Sequence, residues 1–318
     1  PAALESLDKF NDIFLILIGD QNQINSLLTD KIQKQEGIRY KIVHTDEYIT
    51  MEDEIIAAIR TKKKSSMRLG INAVKDKVAD ACVSPGNTGA LMGLSKIILK
   101  TIPGIDRPAI CGSLPTKTGQ FHMLDLGANV ECDAEHLYQF SIMGSALVQS
   151  LELNNKPVIG LMNIGSEEFK GNETIKSAGK LMHRSNLNYA GFVEGDDIFS
   201  GKFDVIVTDG FAGNIALKSI EGVAKVISHF IKTEFTKNIF TKLSALISSP
   251  VMKSVKKKVD PRKYNGASLL GLQGIVVKSH GGADSYAFTQ AIDTAYYEVK
   301  NELLDKIESL IQTELSND

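Results

Sequence analysis

The chain contains no Gly-x-Gly anywhere in its 318 residues, so the dinucleotide-binding fingerprint is missing. There is no Gly-x-x-x-x-Gly-Lys-Ser/Thr loop, which argues against a P-loop nucleotide hydrolase. There is also no GxSxG nucleophile elbow and no HExxH zinc motif. The six histidines lack metal-ligand spacing. Cysteine is scarce: Cys82, Cys111 and Cys132 form an odd set without CxxC spacing, expected as small buried apolar residues in a reducing cytoplasm. No stretch approaches the uninterrupted apolar length of a bilayer span, and no signal-peptide pattern is seen. A net charge of −2 predicts no general affinity for nucleic acid.

The composition, 43% hydrophobic and 23% charged, is that of a globular chain with a large core. Apolar runs of strand length alternate with longer helical patterns. Strands are expected in 12–20, 40–45, 80–84, 122–127, 157–165, 188–195, 203–210 and 274–282. Helices are expected over 52–60, 66–77, 87–101, 133–153, 172–185, 213–232 and 283–315, and AALESLDKF reads as the body of another. This alternation predicts an α/β fold, a mainly parallel sheet covered by helices on both faces. No repeat, low-complexity tract or linker divides it, so 1–318 is read as one catalytic domain, with 233–263 as a protruding amphipathic segment.

Ligands in such folds sit beyond the carboxyl ends of the strands, so the polar loops there are where chemistry is sought. SPGNTGA places Ser84, Asn87 and Thr88 before a helical run, and helix N-termini behind such turns attract anions. LDLGANVECDAEH carries Asp125 and Asn129, with Asp133 as a helix cap. NIGSEEFKGNE brings Asn163, Glu167, Glu168, Lys170 and Asn172 close together, and Lys170 is the cation expected to face a phosphate or a developing oxyanion. Glu194, Asp209 and Asn214 end further strands or open helices, and VVKSHGGAD offers Lys278, Ser279 and His280. Each loop has a plain structural reading too, as a capped helix entry or a solvated surface. If gathered, the turns form a phosphate-rich pocket; spacing alone leads to an α/β enzyme that handles phosphate.

The blocks VSPGNTGALMG, PGIDRPAI, LDLGANVECDAEHLYQFSIMGSAL, LMNIGSEEFKGNE, VEGDDIFSGKFDVIVTDGFAGNIALKSIEG and LLGLQGIVVKSHGGAD resemble the signature blocks of the PlsX-type phosphate acyltransferases. The resemblance runs in order through nearly the whole chain. It implies an isocitrate/isopropylmalate dehydrogenase-like three-layer α/β/α fold. It also implies conversion of acyl-acyl-carrier-protein and inorganic phosphate to acyl phosphate, feeding a membrane glycerol-3-phosphate acyltransferase in phospholipid synthesis. The family implies a cytoplasmic, peripherally membrane-associated homodimer with no cofactor and no metal. The chain departs from it at Pro85, often Ala in the family. It also begins after the opening strand and Gly-Gly-Asp loop that the family places ahead of Pro1, as if a preceding segment were missing. Phosphate is then the nucleophile, which accounts for the missing Ser or Cys. On this reading Asn87, Thr88 and Asn214 bind phosphate, Lys170 and Asn129 position the thioester, and His280, or else Lys170, protonates the leaving thiolate.

In FTKNIFTKLSALISSPVMKSVKKKV, Ile239, Phe240, Leu243, Leu246 and Ile247 share one helical face, with Lys237, Lys242, Lys253 and Lys256 to Lys258 around them. A basic amphipathic segment suits an anionic bilayer or an acidic carrier protein, or packs across a dimer interface. Two alternatives stay open: a phosphate acyltransferase acting on acyl-coenzyme A, and a non-catalytic scaffold recruiting enzymes to the membrane.

Overall fold

The computed structural model describes residues 1–315. Its strands are β1 (Leu15–Gly19), β2 (Tyr40–His44), β3 (Ala81–Ser84), β4 (Ala109–Pro115), β5 (Gln120–Leu124), β6 (Ile159–Met162), β7 (Tyr189–Val193), β8 (Val205–Val207), β9 (Ala267–Leu270) and β10 (Ile275–Lys278). The helices are α1 (Ala2–Lys9), α2 (Gln21–Leu27), α3 (Asp30–Gln33), α4 (Ile55–Thr61), α5 (Ser66–Lys75), α6 (Thr88–Leu99) and α7 (Ala134–Ser150), then α8 (Glu173–Arg184), α9 (Gly210–Thr236), α10 (Ile239–Ile247), α11 (Ser249–Val259), α12 (Ser285–Lys300) and α13 (Leu303–Leu315). The expected helix over 283–315 is two helices, broken at Glu302, whose φ is 55°.

The strand expected over 12–20 as a buried element is β1, but it is only half-buried and pairs with β2 alone in a separate two-stranded sheet. The main sheet has the order β3-β10-β9-β4-β5-β8-β6-β7 and is mainly parallel. Two of its strands, β4 and β9, were not expected from the sequence. Both pair antiparallel, β10 with β9, β9 with β4, and β4 with β5. An odd number of antiparallel pairings reverses direction. The strands β3 and β10 therefore run opposite to β5, β6, β7 and β8, and the carboxyl ends of the two groups lie at opposite edges of the sheet.

Helices cover both faces. Cys82, Val276 and Leu269 pack with Ile71, Leu91 and Leu94 of α5 and α6, while Val277 and Ile275 on the other face meet Ala291 and Ala295 of α12. α7 is buried nearly all round, with Phe140, Met143 and Leu147 set among β-strands, α8 and α13, the pattern of a core helix. Helix starts follow from local chemistry. Asn87, Asp133, Asn172, Asp209 and Asp284 each accept a hydrogen bond from a first-turn N–H, which satisfies donors a helix cannot pair itself.

One buried acid breaks the apolar pattern. Glu298 of α12 accepts a hydrogen bond from Ser268 Oγ of β9, and burial pushes its carboxyl up to about 8. The folded protein thus keeps a proton that an unfolded glutamate, at its ordinary 4.5, releases. Stability falls as pH rises between those values, by up to about 1.4 kcal/mol per pH unit. Glu298→Gln should flatten that slope. Urea midpoints across this pH window check it, and an unchanged slope would contradict the assignment.

Candidate active site: polar turns at two edges of the sheet

At one edge, the exits of β5, β8, β6 and β7 lie side by side. Asp125, fully buried where β5 ends, organises the first of them. Its Oδ1 accepts from the N–H groups of Ile110 (2.9 Å), Gly127 (3.2 Å) and Ala128 (3.1 Å). Its Oδ2 accepts from Asn129 N (2.6 Å) and Asn129 Nδ2 (3.0 Å). Burial raises the Asp125 carboxyl above its ordinary value, and these bonds work against that rise. Asn129 Nδ2 also donates to Pro108 O at 2.8 Å. Both residues, expected to touch substrate, hold the turn together, and the Asn129 amide hydrogens are engaged in doing so.

The same turn seats α9. Gly210 N donates to Asn129 O at 2.7 Å, and Asp209 caps the helix through Ala212 N at 2.7 Å. A side chain at Gly213 would strike the Asp125 backbone oxygen, so only glycine allows this approach. With Asp209 placing its own carboxylate at the α9 start, the backbone there is a poor anion cradle, contrary to expectation. Asn214 remains exposed and stands over Gly127, whose φ is 125°.

The NIGSEEFKG loop closes on itself beside these turns. Asn163 Oδ1 accepts from Ile164 N at 2.9 Å and its Nδ2 donates to Lys170 O at 3.2 Å. Gly171, at φ 90°, leaves room for the Asn163 side chain. Lys170 Nζ pairs with Glu167 at 2.8 Å, and Glu194 accepts from Ser166 N at 3.1 Å. The Glu167 hydrogen bond, with the charges of Glu167 and Glu194, raises the Lys170 ammonium above its usual value. Lys170 therefore stays cationic at neutral pH, which fits it to stabilise negative charge rather than to shuttle protons. Asn172 caps α8 through Ile175 N at 2.9 Å.

The other edge carries the exits of β3 and β10. Ser84 Oγ accepts from Gly86 N at 3.2 Å, and Asn87 Oδ1 caps α6 through Ala90 N at 3.0 Å. The N–H groups of Thr88 and Gly89 make no hydrogen bond among the described residues, so this entry keeps backbone donors for an anion. Lys278, half-buried and with its ammonium lowered by that burial, bonds the Ser279 carbonyl and reaches Pro85 O at 3.4 Å. His280 is exposed; its Nδ1 accepts from Gly282 N at 3.0 Å and its own N–H donates to Asn265 Oδ1 at 2.9 Å. No hydrogen bond or ion pair joins the two edges among the described residues. The expected single pocket is thus two groups, because the unforeseen antiparallel β4 and β9 invert the sheet between them. Asn265, which holds the His280 turn, was missed by sequence reasoning; its only signal was proximity to a glycine after the basic segment.

With that geometry in place, the comparisons decide the family. The sequence profile of the fatty acid synthesis protein family matches residues 1–306. A phosphate acyltransferase of Methylococcus capsulatus is 53% identical over 96% of this chain and 90% of its own length. One from Hydrogenovibrio crunogenus is 52% identical over 99% of this chain and 92% of its own. The chain belongs to the phosphate acyltransferase family. It is an acyl-transferring enzyme, and the resemblance carried by the polar blocks is borne out. In fold it is similar to a phosphotransacetylase of Streptococcus pyogenes, TM-score 0.61, 16% identical, covering 96% of this chain and 91% of that one. It is likewise similar to the EutD phosphotransacetylase of Staphylococcus aureus, TM-score 0.59, 16% identical, covering 94% and 89%. These agree with the dehydrogenase-like α/β architecture. Among the described residues no helix of this family member is long and apolar enough to cross a membrane.

Asp125→Ala removes the carboxylate that accepts from five donors, three of them on the buried Ile110 and Asn129. It should destabilise the enzyme by at least about 3 kcal/mol, measured by chemical unfolding. A loss below about 1 kcal/mol would show that the turn does not depend on this carboxylate.

Proposed function

We propose that this enzyme transfers the acyl group of an acyl-acyl-carrier-protein thioester to inorganic phosphate, releasing acyl phosphate and free carrier protein to supply phospholipid synthesis. The observation that carries this reading is the sustained identity, near half of all positions over almost the entire chain, to relatives named phosphate acyltransferase. In the step itself a phosphate oxygen attacks the thioester carbonyl carbon. The carbon–sulfur bond breaks, and the leaving thiolate takes up a proton.

The chemistry is assigned to the edge holding Lys170. There the cationic Lys170, the exposed Asn214 amide and the Asn163 turn stand on neighbouring strand exits, and Glu194 orients the loop. A donor aimed at the developing oxyanion contributes roughly 3–4 kcal/mol, and holding both reactants in line roughly 7–11 kcal/mol more. Lys170 supports the charge on the phosphate and the carbonyl oxygen. At the opposite edge, the free N–H groups of Thr88 and Gly89 beside Lys278 suit a second anion, and Asn87 serves them by capping rather than by direct contact. Lys170 and His280, the two candidates for proton transfer, stand on opposite edges, so their variants discriminate between the sites. Lys170→Ala should lose at least about 100-fold in kcat while folding normally, and His280→Ala should stay within about fivefold. The reverse result would move the reaction to the other edge.

The segment α9 to α11 supports a peripheral membrane contact and a homodimer. Of the 27 residues of α9 only Gly210 and Gly213 are buried, leaving Val223, Ile227 and Phe230 exposed along its middle. At the far end Phe240 (79% exposed), Leu243, Leu246 and Ile247 form an apolar face ringed by lysines. The middle is assigned to a second copy and the end to anionic lipid near a membrane glycerol-3-phosphate acyltransferase. Together, Phe240→Asp and Leu243→Asp should release the protein from phosphatidylglycerol vesicles in flotation; unchanged binding would refute the lipid contact. The basic face also suits an acidic carrier. With matched acyl chains, kcat/KM for acyl phosphate formation should be at least about tenfold higher with the carrier thioester than with acyl-coenzyme A. Equal values would favour the coenzyme A reading.

A further inference from the structure

We infer that Ile164, Phe169, Phe211 and Ile215, with Val130 beside them, form the seat of the acyl chain and set which chain lengths the enzyme accepts. The inference rests on placing the chemistry at the Lys170 edge, and it adds the part of that site which meets hydrocarbon. These side chains sit in the turns after β5, β6 and β8. In the parallel ladder Val207 pairs with both Leu161 and Leu124. Two residues past that rung, Asn163 and Asp209 leave neighbouring strands, which run ~4.8 Å apart. Ile164 and Phe211 are the next large apolar residues on the two chains. Val130 joins them, because Gly210 N donates to Asn129 O at 2.7 Å and these residues directly precede Phe211 and Val130. A side chain at Gly165 would strike that of Lys170, so the lysine stem lies across the loop next to Ile164. Phe169 adjoins Lys170 in sequence, and Asn214 lies between Phe211 and Ile215 on the first turns of α9.

Folding does not account for these side chains. Ile164 is 80% exposed, Phe169 74%, Phe211 60% and Ile215 50%. The loop is held by the Asn163 amide and by Glu194, while α9 packs on the core through Ala216, Leu217 and Ile220. Exposed apolar residues scattered singly are ordinary, but a group of them around one ammonium marks a binding surface. What covers the group follows from its surroundings. The family transfers acyl groups, so the reacting carbonyl arrives with hydrocarbon attached, and Lys170 and Asn214 are interleaved with the apolar side chains. The α9 face assigned to a second copy, with Val223, Ile227 and Phe230, lies roughly 100° further round the helix at about 100° per residue. Anionic lipid suits the lysine-ringed face of α10, whereas the exposed Glu131, Glu167 and Glu168 stand next to these residues. A hydrocarbon tail carries no charge for them to repel.

The test is steady-state transfer to inorganic phosphate by the full chain, using dodecanoyl and butanoyl thioesters, each on carrier protein and on coenzyme A. In the double variant Ile164→Ser with Phe211→Ser, kcat/KM should fall at least about tenfold for dodecanoyl and less than about threefold for butanoyl, whichever donor is used. Met51→Ser removes an exposed apolar residue beside Gly281 at the opposite edge and should leave the ratio of the two chain lengths unchanged. Equal losses for both lengths, an unchanged ratio in the double variant, or a shifted ratio in Met51→Ser would overturn the seat. A changed oligomeric state in the double variant would also overturn it and assign the group to a second copy. Should the double variant fail to fold, Phe169→Ser is read by the same ratio. Lys170→Ala tests the underlying reading separately, for it should lower transfer of both chain lengths alike. If it leaves both unaltered while the apolar variants shift the ratio, the catalytic assignment falls and the seat stands; if it abolishes transfer while they leave the ratio unchanged, the seat alone falls.

Discussion

The arrangement of this molecule depends on one buried carboxylate. Asp125 sits where β5 leaves the sheet and draws five N–H donors onto its two oxygens. One donor comes from β4, so the carboxylate ties the antiparallel strand to the turn. The others fold residues 127–129 back on themselves, and Asn129 then presents its carbonyl to the start of α9. A charge this deeply buried is tolerable only when it is fully bonded, and here the bonds are what build the edge. Gly213 follows from the same constraint, because a side chain there would strike the Asp125 backbone oxygen, whereas Gly127 is called for by its φ of 125°.

The second determinant is directional. Parallel α/β sheets place all their strand exits at one edge, and that rule underlies the search for chemistry there. Inserting β9 and β4 antiparallel between two parallel halves sends the exits of the halves to opposite edges. Lys170 and Asn214 fall on one edge, and Lys278 and His280 on the other.

Helix capping explains why so many polar residues recur in these turns. Asn87, Asp133, Asn172, Asp209 and Asp284 all open helices, and each uses a side-chain oxygen to do so. Capping and ligand binding compete for the same atoms. A capped entry serves an anion only through the N–H groups that the cap leaves free, as at Thr88 and Gly89. Lys170 is different in kind, for its ammonium pairs with the Glu167 carboxylate at the surface of its loop.

The sequence by itself determined the α/β class, the strand cores of β3, β5, β6, β7, β8 and β10, and most helix starts. Hydrophobic run length and Asn or Asp caps are local properties, and they survive in any tertiary setting. It also carried the family, through long polar blocks whose order the relatives share. It did not disclose β4 or β9. The run AICGSLP mixes Gly, Ser and Cys with its apolar residues, and ASLL is four residues long, so neither shows a strand period. Only the tertiary structure decided which turns face each other and that Asn129 bonds the Asp125 carboxylate. It alone made His122 a buried residue. Those outcomes rest on strand direction and on pairings between distant residues, which no local pattern encodes.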